Sequence, residues 1–307
     1  MPEATSRIIS LCLDADDPTR MATFWAEALG WEIGGPDGES SLRPTDDTGF
    51  DILFEPTTET KVGRNNIHLD LTTTSIEDRR DTVDRLIEAG ARHVDVGQRG
   101  DEGHVVLADP EGNEFCVIAP DSTFLAGCPR LGAINADGTR RVGLFWSAVL
   151  GWPLIWDQDD ETAIRAPDGT GPIIQWSGPP LMTKTGKNRL HLDIAPPAHV
   201  RQQDEVDRLV GLGASRIDIG QGDTDWIVMA DPDGNEFCVL TPREPSGPPT
   251  WRRSVAPSTR TAVRVGDRRS RRQPRELLAA VPGSSAGCGS RRQNRWWVMP
   301  LGLGTRS

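Results

Sequence analysis

Residues 108–117, ADPEGNEFCV, recur as ADPDGNEFCV at 230–239, with nine of ten positions identical at an offset of 122. Two further motifs recur in the same order along the chain. FWAEALGW at 24–31 returns as FWSAVLGW at 145–152, and HLD at 68–70 returns at 191–193. Because the offset stays between 121 and 123, one unit of about 120 residues is present twice. A period this long indicates duplicated globular domains rather than a solenoid.

The repeat divides the 307 residues into two domains, at 5–120 and 126–242, and a tail at 243–307. Charge follows the same division. Residues 1–120 carry a net charge of −15 and residues 121–242 one of −7, whereas the tail carries +11. The tail is rich in Arg, Ser, Pro and Gly and lacks apolar periodicity, so we expect it to be disordered.

Composition excludes several classes of protein. No apolar stretch approaches the roughly 20 residues of a membrane helix, and the N-terminus lacks the pattern of a secretory signal. The acidity of the two domains argues against nucleic acid as their partner, although the basic run at 268–272 leaves that partner, or an anionic surface, open for the tail. The five cysteines are widely spaced and form no C-x-x-C pair, which favours a reduced, cytoplasmic protein.

Each repeat reads as β-α-β-β-β followed by a second β-α-β-β-β. In the first repeat, Asp17 with Pro18 marks the start of one helix, and Ser75 with Asp78 resembles the capping box of another. Short runs rich in branched residues, separated by Gly, Pro and Asp, predict the strands. The pattern predicts an α+β fold whose helices cover one face of a sheet.

The strand around His68 predicts which side chains face an open surface. Successive side chains of a strand alternate, so Leu69 and its apolar neighbours face one way while His68 and Asp70 face the other. His191 and Asp193 repeat this arrangement in the second copy. We expect the apolar face to lie under the helices, and each histidine to face a pocket or to be held by its Asp for structure alone.

Other strands place further polar side chains on the same kind of face. Ser10 and Cys12 alternate with apolar residues in the first strand, and Cys116 does so in the last strand of the first copy. If the sheet curls, Ser10 or Cys12 should line one concavity with His68 and Cys116. Two tryptophans that occur only in the second copy either line its cavity or pack in an interface. They are Trp176 and Trp226.

Three motifs carry a family resemblance. FWAEALGW at 24–31, NNIHLD at 65–70 and DPEGNEFC at 109–116, each present again in the second copy, resemble the vicinal oxygen chelate superfamily. That superfamily includes glyoxalase I, bleomycin-resistance proteins, fosfomycin-resistance enzymes and extradiol dioxygenases. The resemblance covers residues 5–120 and 126–242. It implies two tandem glyoxalase-like domains of paired βαβββ modules, which form a cupped sheet around a small-molecule site.

The resemblance also implies where a metal would bind. The metal enzymes of the superfamily take ligands from the first and last strands of each module, and His68 and His191 match one of these positions. Ser10, or Leu131 in the second copy, stands where His or Gln is usual, and Cys116 and Cys238 replace the final Glu. Glu55 falls near the fourth position, where the second copy has Gln175. The remaining candidates are Glu114 in the first copy and Glu236 in the second.

Two functions follow from these incomplete ligand sets. We expect a metal-free binding or resistance-type protein that takes a small organic molecule. The alternative is a lyase, isomerase or dioxygenase that uses a divalent metal (Zn, Fe, Mn or Ni), with Glu55, Glu114 or Glu236 carrying protons. In both cases the duplicated domains should pack as a pseudo-dimer within one monomeric chain.

Overall fold

The computed structural model describes residues 5–34, 40–98 and 103–243, and the predicted disordered tail lies outside these residues apart from Arg243. The described residues form four βαβββ modules, two in each repeat. The first repeat contains β1 (Arg7–Ala15), α1 (Pro18–Leu29), β2 (Glu32–Ile33), β3 (Ser41–Arg43), β4 (Asp51–Pro56), β5 (Ile67–Leu71), α2 (Ile76–Glu88), β6 (Arg92–His93), β7 (His104–Ala108) and β8 (Glu114–Ile118). The second contains β9 (Leu131–Ala136), α3 (Arg140–Leu150), β10 (Leu154–Gln158), β11 (Glu161–Ile164), β12 (Ile173–Trp176), β13 (Leu190–Ala195), α4 (Gln202–Leu212), β14 (Ser215–Arg216), β15 (Ile227–Ala230) and β16 (Glu236–Val239).

The helices of the first repeat begin where the sequence predicts. The side chain of Asp17 accepts a hydrogen bond from Arg20 N, and Pro18 is the first residue of α1. Ser75 accepts from Asp78 N at the start of α2. Gly30 ends α1 with φ of 72°, a conformation that costs glycine little. None of the described helices is long and apolar enough to cross a membrane.

The two sheets are each assembled from both repeats. The first sheet has the order β14-β15-β16-β13-β1-β4-β3-β2, and the second has the order β10-β11-β12-β9-β5-β8-β7-β6. At the centre of the first sheet, β1 pairs antiparallel with β13, while β5 pairs antiparallel with β9 in the second. The α+β class and the paired βαβββ modules are confirmed. Each cupped sheet, however, combines one module of the first repeat with one of the second.

The assembly of each sheet from modules of both repeats corrects one prediction about the site. Ser10 and Cys12 lie opposite Asp193 and His191 in the first sheet, whereas His68 and Cys116 lie in the second. The expectation that Ser10 or Cys12 lines one concavity with His68 and Cys116 is therefore wrong. Alternation along a strand determines the face on which a side chain lies, but it does not determine which strand lies alongside.

The helices bury the apolar face of each sheet, as the alternation predicts. Leu69 and Phe115 are buried in a large core cluster that also contains Trp25 of α1. Trp25 and Phe115 meet edge to face, with ring centroids 5.2 Å apart. This contact joins the two modules of the first repeat, although their strands belong to different sheets.

The DPxGNE turn at residues 109–114 forms hydrogen bonds that connect the two modules of the first repeat. Asp109 accepts a hydrogen bond from Trp25 Nε1, at 3.2 Å. The Glu111 carboxylate accepts from Asp16 N and Asp17 N, both at 2.9 Å, just before α1. It also forms an ion pair with Arg189 of the second repeat, at 2.9 Å. Glu111 therefore connects three of the four modules.

We expect Glu111→Ala to lower the free energy of unfolding by about 3 kcal/mol, because it leaves two backbone N–H groups without their acceptor and removes the nearest carboxylate from the partly buried Arg189. Asp233 is the matched control: it accepts from Thr139 N and Thr139 Oγ1, and it forms no ion pair among the described residues, where Asn66 occupies the position equivalent to Arg189. Asp233→Ala should cost about 1–2 kcal/mol, the usual net cost of losing two hydrogen bonds. Urea denaturation of both variants measures the difference, and equal losses would contradict the role given to the ion pair.

Candidate functional site

The concave face of the first sheet holds a cavity of about 280 Å³. We call this face the open cup. Its walls come from β1, β4, β13 and β16, so both repeats contribute to it. Its main lining residues are Ser10, Asp51, Leu53, Glu55, Asp193 and Cys238, with Trp226 and Arg243 also against the cavity.

Asp193 organises the floor of the open cup. One of its oxygens, Oδ2, accepts hydrogen bonds from Ser10 Oγ at 3.1 Å and from Cys12 Sγ at 3.2 Å. His191 Nε2 lies 3.5 Å from the other oxygen. Burial raises the pKa of Asp193, but the hydrogen bond and charge of His191, with Cys12 and Ser10, lower it below the ordinary value. Asp193 is therefore an ionised acceptor that orients these side chains.

A second group of polar side chains adjoins the floor. Ligand atoms of Asp14, Glu55 and His191 all lie within 4.8 Å of one another. Lys187 Nζ donates to both oxygens of Asp14, each at 2.7 Å. Burial raises the pKa of Glu55, and Asp193 and Asp14 raise it further, while His191 and Lys187 lower it. Two carboxylates, the imidazole of His191 and the ammonium of Lys187 therefore lie together beside the floor of the open cup.

The two cysteines of the open cup are thiols rather than thiolates. Burial raises the pKa of Cys12 well above its ordinary value, and the carboxylates of Asp193 and Glu55 add to this effect. Burial and Asp193 act in the same direction on Cys238. A thiol kept protonated in this way is a poor nucleophile.

The concave face of the second sheet, which we call the closed cup, repeats the His, Asp and Cys of the open cup but differs from it at other positions. Asp14 N donates to Arg189 O in the open cup, and Asp137 N donates to Asn66 O in the closed cup, so Asp137 is the counterpart of Asp14. The same register makes Ala133 the counterpart of Ser10 and Ser177 that of Glu55. The sequence alignment that placed Leu131 and Gln175 at these positions is therefore wrong by two residues.

The segment that joins the two repeats fills the closed cup. Leu125 is buried against Ala133 and Ile173, in a small apolar cluster that Phe124 also contacts. Ile173 lies beside Ala133, just as Asp51 lies beside Ser10 in the open cup, so an apolar pair has replaced a polar pair. The cavity next to His68 measures about 10 Å³, which holds one water molecule at most.

At the offset of 122 that relates β8 to β16, the sequence aligns Ser246 and Gly247 with Phe124 and Leu125. The apolar pair that fills the closed cup thus has no apolar counterpart in the second repeat. Of the two cups, the open cup is the candidate functional site.

The remaining predicted site residues divide between the two cups and the core. Glu114 accepts from Lys61 Nζ and Asn65 N, and Glu236 accepts from Lys184 Nζ and Asn188 N in the equivalent way. Both carboxylates therefore anchor loops, whereas Glu55 lines the cavity. His68, Asp70 and Cys116 lie together in the closed cup. Trp176 is buried in the core, and Trp226 lines the cavity with 42% of its surface exposed.

Sequence reasoning missed Asp14, Asp51 and Lys187. Asp14 and Asp51 do carry a signal, because each lies two or four residues from a predicted site residue on the same face of its strand. Lys187 lies in a loop, where alternation predicts no direction. Its link to Asp14 depends on the pairing of β1 with β13, which no local pattern indicates.

Comparisons with known proteins agree with this architecture. The model of the glyoxalase-like domain family matches residues 10–118 and 133–240. The structure is similar to that of glyoxalase I from Zea mays, with 15% identity and a TM-score of 0.54, over 77% of this chain and 92% of that one. It also resembles a proposed dioxygenase from Bacillus subtilis subsp. subtilis, with 15% identity and a TM-score of 0.51, over 78% of this chain and 87% of that one.

At these identities the structural likeness shows a common fold and nothing about activity. No curated protein matches the sequence significantly. The two matches to the family model span most of the chain, and each covers one of the two repeats. The chain therefore belongs to the glyoxalase-like domain family of the vicinal oxygen chelate superfamily, with two tandem copies of the domain.

Proposed function

We propose that this protein binds a small organic molecule in the open cup and that the closed cup is structural. The cavity carries the proposal: about 280 Å³ of space meets polar side chains in the open cup, whereas Leu125 fills its counterpart. Ligand sites are typically concave, with a few polar groups on an apolar lining. Leu53 and Trp226 supply the apolar lining here, and Glu55 and Asp193 supply polar groups.

The binding function we propose needs no metal. The resemblance assigns metal ligands to Ser10, Glu55, His191 and Cys238 in the open cup. Ser10 donates its hydrogen bond to Asp193, and Cys238 places a buried thiol where the family's metal enzymes have a carboxylate. Only Glu55 and His191 fit, so the residues present do not supply the four ligands of the family's metal enzymes. The binding and resistance-type members are therefore the better functional comparison.

One observation favours the alternative, a divalent-metal-dependent lyase, isomerase or dioxygenase. Asp14, Glu55 and His191 place three donor groups within 4.8 Å of one another, and three protein ligands suffice for a catalytic site. Against this, both Asp14 oxygens already accept from Lys187. Elemental analysis of the purified protein separates the two functions: one bound metal ion per chain that Glu55→Gln removes would favour the enzyme.

The cellular setting that we propose is the reducing cytoplasm, with the chain as a monomer. The four described cysteines are free, and each cup already combines modules of two domains within one chain. Small-molecule partners fit the acidic body better than nucleic acid does.

The two histidines test the proposed site. We expect His191→Ala to weaken binding of hits from a fragment screen by about tenfold, because it removes the imidazole that lies against Asp193, a residue that lines the cavity. His68→Ala should leave their binding unchanged, since its cup is filled. Ligand-observed NMR titration measures both affinities, and melting temperatures verify that each variant is folded.

Leu53→Trp gives a second measure that does not depend on His191. The larger side chain should occupy the cavity and abolish binding. Hits that bind the Leu53→Trp protein as well as they bind the wild type would show that the open cup is not the ligand site.

A further inference from the structure

A second cavity, which we call the loop cavity, lies between the two loops that lead into the histidine strands. Its volume is about 260 Å³, and none of the described residues that line it also lines the open cup. Its walls come from residues within 59–66 and 184–189, with Asp14 beside them. The loops carry one motif, TKVGRN at 60–65 and TKTGKN at 183–188, so the cavity lies between equivalent segments of the two repeats.

Cations predominate in the lining of the loop cavity. Among the described lining residues five are Lys or Arg and two are acidic, although both repeats are acidic as a whole. The five are Lys61, Arg64, Lys184, Lys187 and Arg189. The described lining of the open cup has the opposite balance, with three acidic residues and one arginine. The two cavities therefore differ in the chemistry that they offer to a ligand.

Four of the five cations have carboxylate partners, so the number of unused N–H donors decides what the cavity can bind. The ion pairs join Lys61 to Glu114, Lys184 to Glu236, Lys187 to Asp14 and Arg189 to Glu111. Asp14 lines the cavity, whereas the other three carboxylates are not part of its lining. The partners therefore hold these cations in place while a part of each cation still borders the cavity.

Each of the three lysines keeps one donor. An ammonium group has three N–H donors. Lys61 donates to Gly63 O and to Glu114. Lys184 repeats this arrangement with Gly234 O and Glu236. Lys187 donates to both oxygens of Asp14. Among the described residues, each lysine thus uses two donors and has a third for a ligand.

Arg64 differs from the other cations of the loop cavity. It is exposed and forms no ion pair among the described residues. Its counterpart Lys187 is paired with Asp14, but Asp137, the counterpart of Asp14, accepts from Met182 N instead. Glu59 is the one acidic lining residue without an ion pair in the described part of the chain. A single carboxylate cannot satisfy a guanidinium and three ammonium donors, so donors exceed acceptors.

We propose that the loop cavity binds a phosphate group, carried by a small organic molecule or as inorganic phosphate. A phosphate presents several charged acceptor oxygens, which match ammonium groups arranged around it and the two-pronged guanidinium of Arg64. Because the lysines come from both loops, one phosphate contacts both repeats. This site is separate from the open cup, and the proposal does not depend on the function proposed for that cup.

Isothermal titration calorimetry of the full chain, in a phosphate-free buffer at neutral pH and constant ionic strength, tests the proposal with three probes. They are inorganic phosphate, phenyl phosphate and acetate. We expect one phosphate per chain, bound at least about tenfold more tightly than acetate, because acetate has fewer acceptor oxygens and less charge. Tighter binding of phenyl phosphate would identify a phosphate ester as the ligand, and tighter binding of inorganic phosphate would identify the free ion.

Two substitutions, one in each loop, test the residues. Arg64→Gln should weaken phosphate binding by about tenfold through the loss of charged hydrogen bonds. Arg43→Gln is the matched control, because Arg43 is exposed on β3 and is not part of the described lining, so it changes the net charge equally but should leave the affinity unchanged. Lys184→Gln should weaken the same binding event, with the melting temperature verifying that the variant is folded.

Leu53→Trp, which fills the open cup, tests the location and should leave phosphate binding unchanged. Loss of phosphate binding in this variant would place the phosphate in the open cup and overturn the inference. So would two phosphates per chain, equal affinities for phosphate and acetate, or no binding of phosphate up to about 10 mM. An affinity that survives both Arg64→Gln and Lys184→Gln, or that falls equally in Arg43→Gln, would also overturn it. None of these results bears on small-molecule binding in the open cup, except the first, which would support it.

Discussion

Residues 5–120, separated from the second repeat, should associate into a symmetric dimer instead of folding as a monomer. In the full chain β1 pairs with β13 and β5 pairs with β9, so both central partners belong to the second repeat. An isolated repeat would leave β1 and β5 each with an unpaired edge in the middle of a sheet. Two copies can satisfy these edges by pairing β1 of each with β5 of the other, which is a closed two-fold arrangement.

Size-exclusion chromatography with light scattering measures this outcome as a mass twice that of the repeat. Residues 126–243 provide the matched experiment, because β9 and β13 lose their partners in the same way. Mixing and refolding the two pieces should yield the heterodimer that reproduces both cups. A stable, monomeric repeat with a cooperative melting transition would show that the sheets can close within one repeat.

Leu125→Ala should lower the free energy of unfolding by about 2–4 kcal/mol, because it empties part of the closed cup. Leu125 is 7% exposed and is packed against Ala133 and Ile173, which the sheet holds in place. Because these neighbours cannot move in to fill the cavity, the loss of unfolding free energy should be near the upper end of the range for truncating a buried leucine. Leu144→Ala is the control, since Leu144 is exposed on α3 and should cost under about 1 kcal/mol.

Urea denaturation followed by circular dichroism gives both values. A cost for Leu125→Ala no greater than that of Leu144→Ala would mean that the joining segment rests on the surface of the second sheet. The closed cup would then be available to ligands, and its exclusion from the proposed function would have to be withdrawn.

Local features of the fold can be predicted from the sequence, because they depend on neighbouring residues. The cap formed by Asp17 and the capping interaction of Ser75 follow from side chains within three positions of their partners. The face occupied by His68 and Asp70 follows from strand alternation. The repeat itself predicts two similar domains, and the family match confirms this reading.

The composition of the site could not be predicted in the same way. Whether Ser10 lies near His68 or near His191 depends on which strand pairs with β1, and both histidine strands have the same pattern. The counterpart of Glu55 lies at an offset of 122 residues and that of Ser10 at 123, whereas the helix motif repeats at 121. The filling of the closed cup depends on Leu125, which lies in a joining segment without periodicity.

The crossed pairing of the sheets also sets the order in which a newly made chain can fold. Ser10 and Asp193 are 183 residues apart. At about 5–20 residues per second, a ribosome needs roughly 10–40 s to make that length of chain. The second sheet requires nothing beyond β12, whereas the first waits for β16. The second sheet can therefore assemble while synthesis continues, and the first sheet, with the proposed ligand site, is completed last.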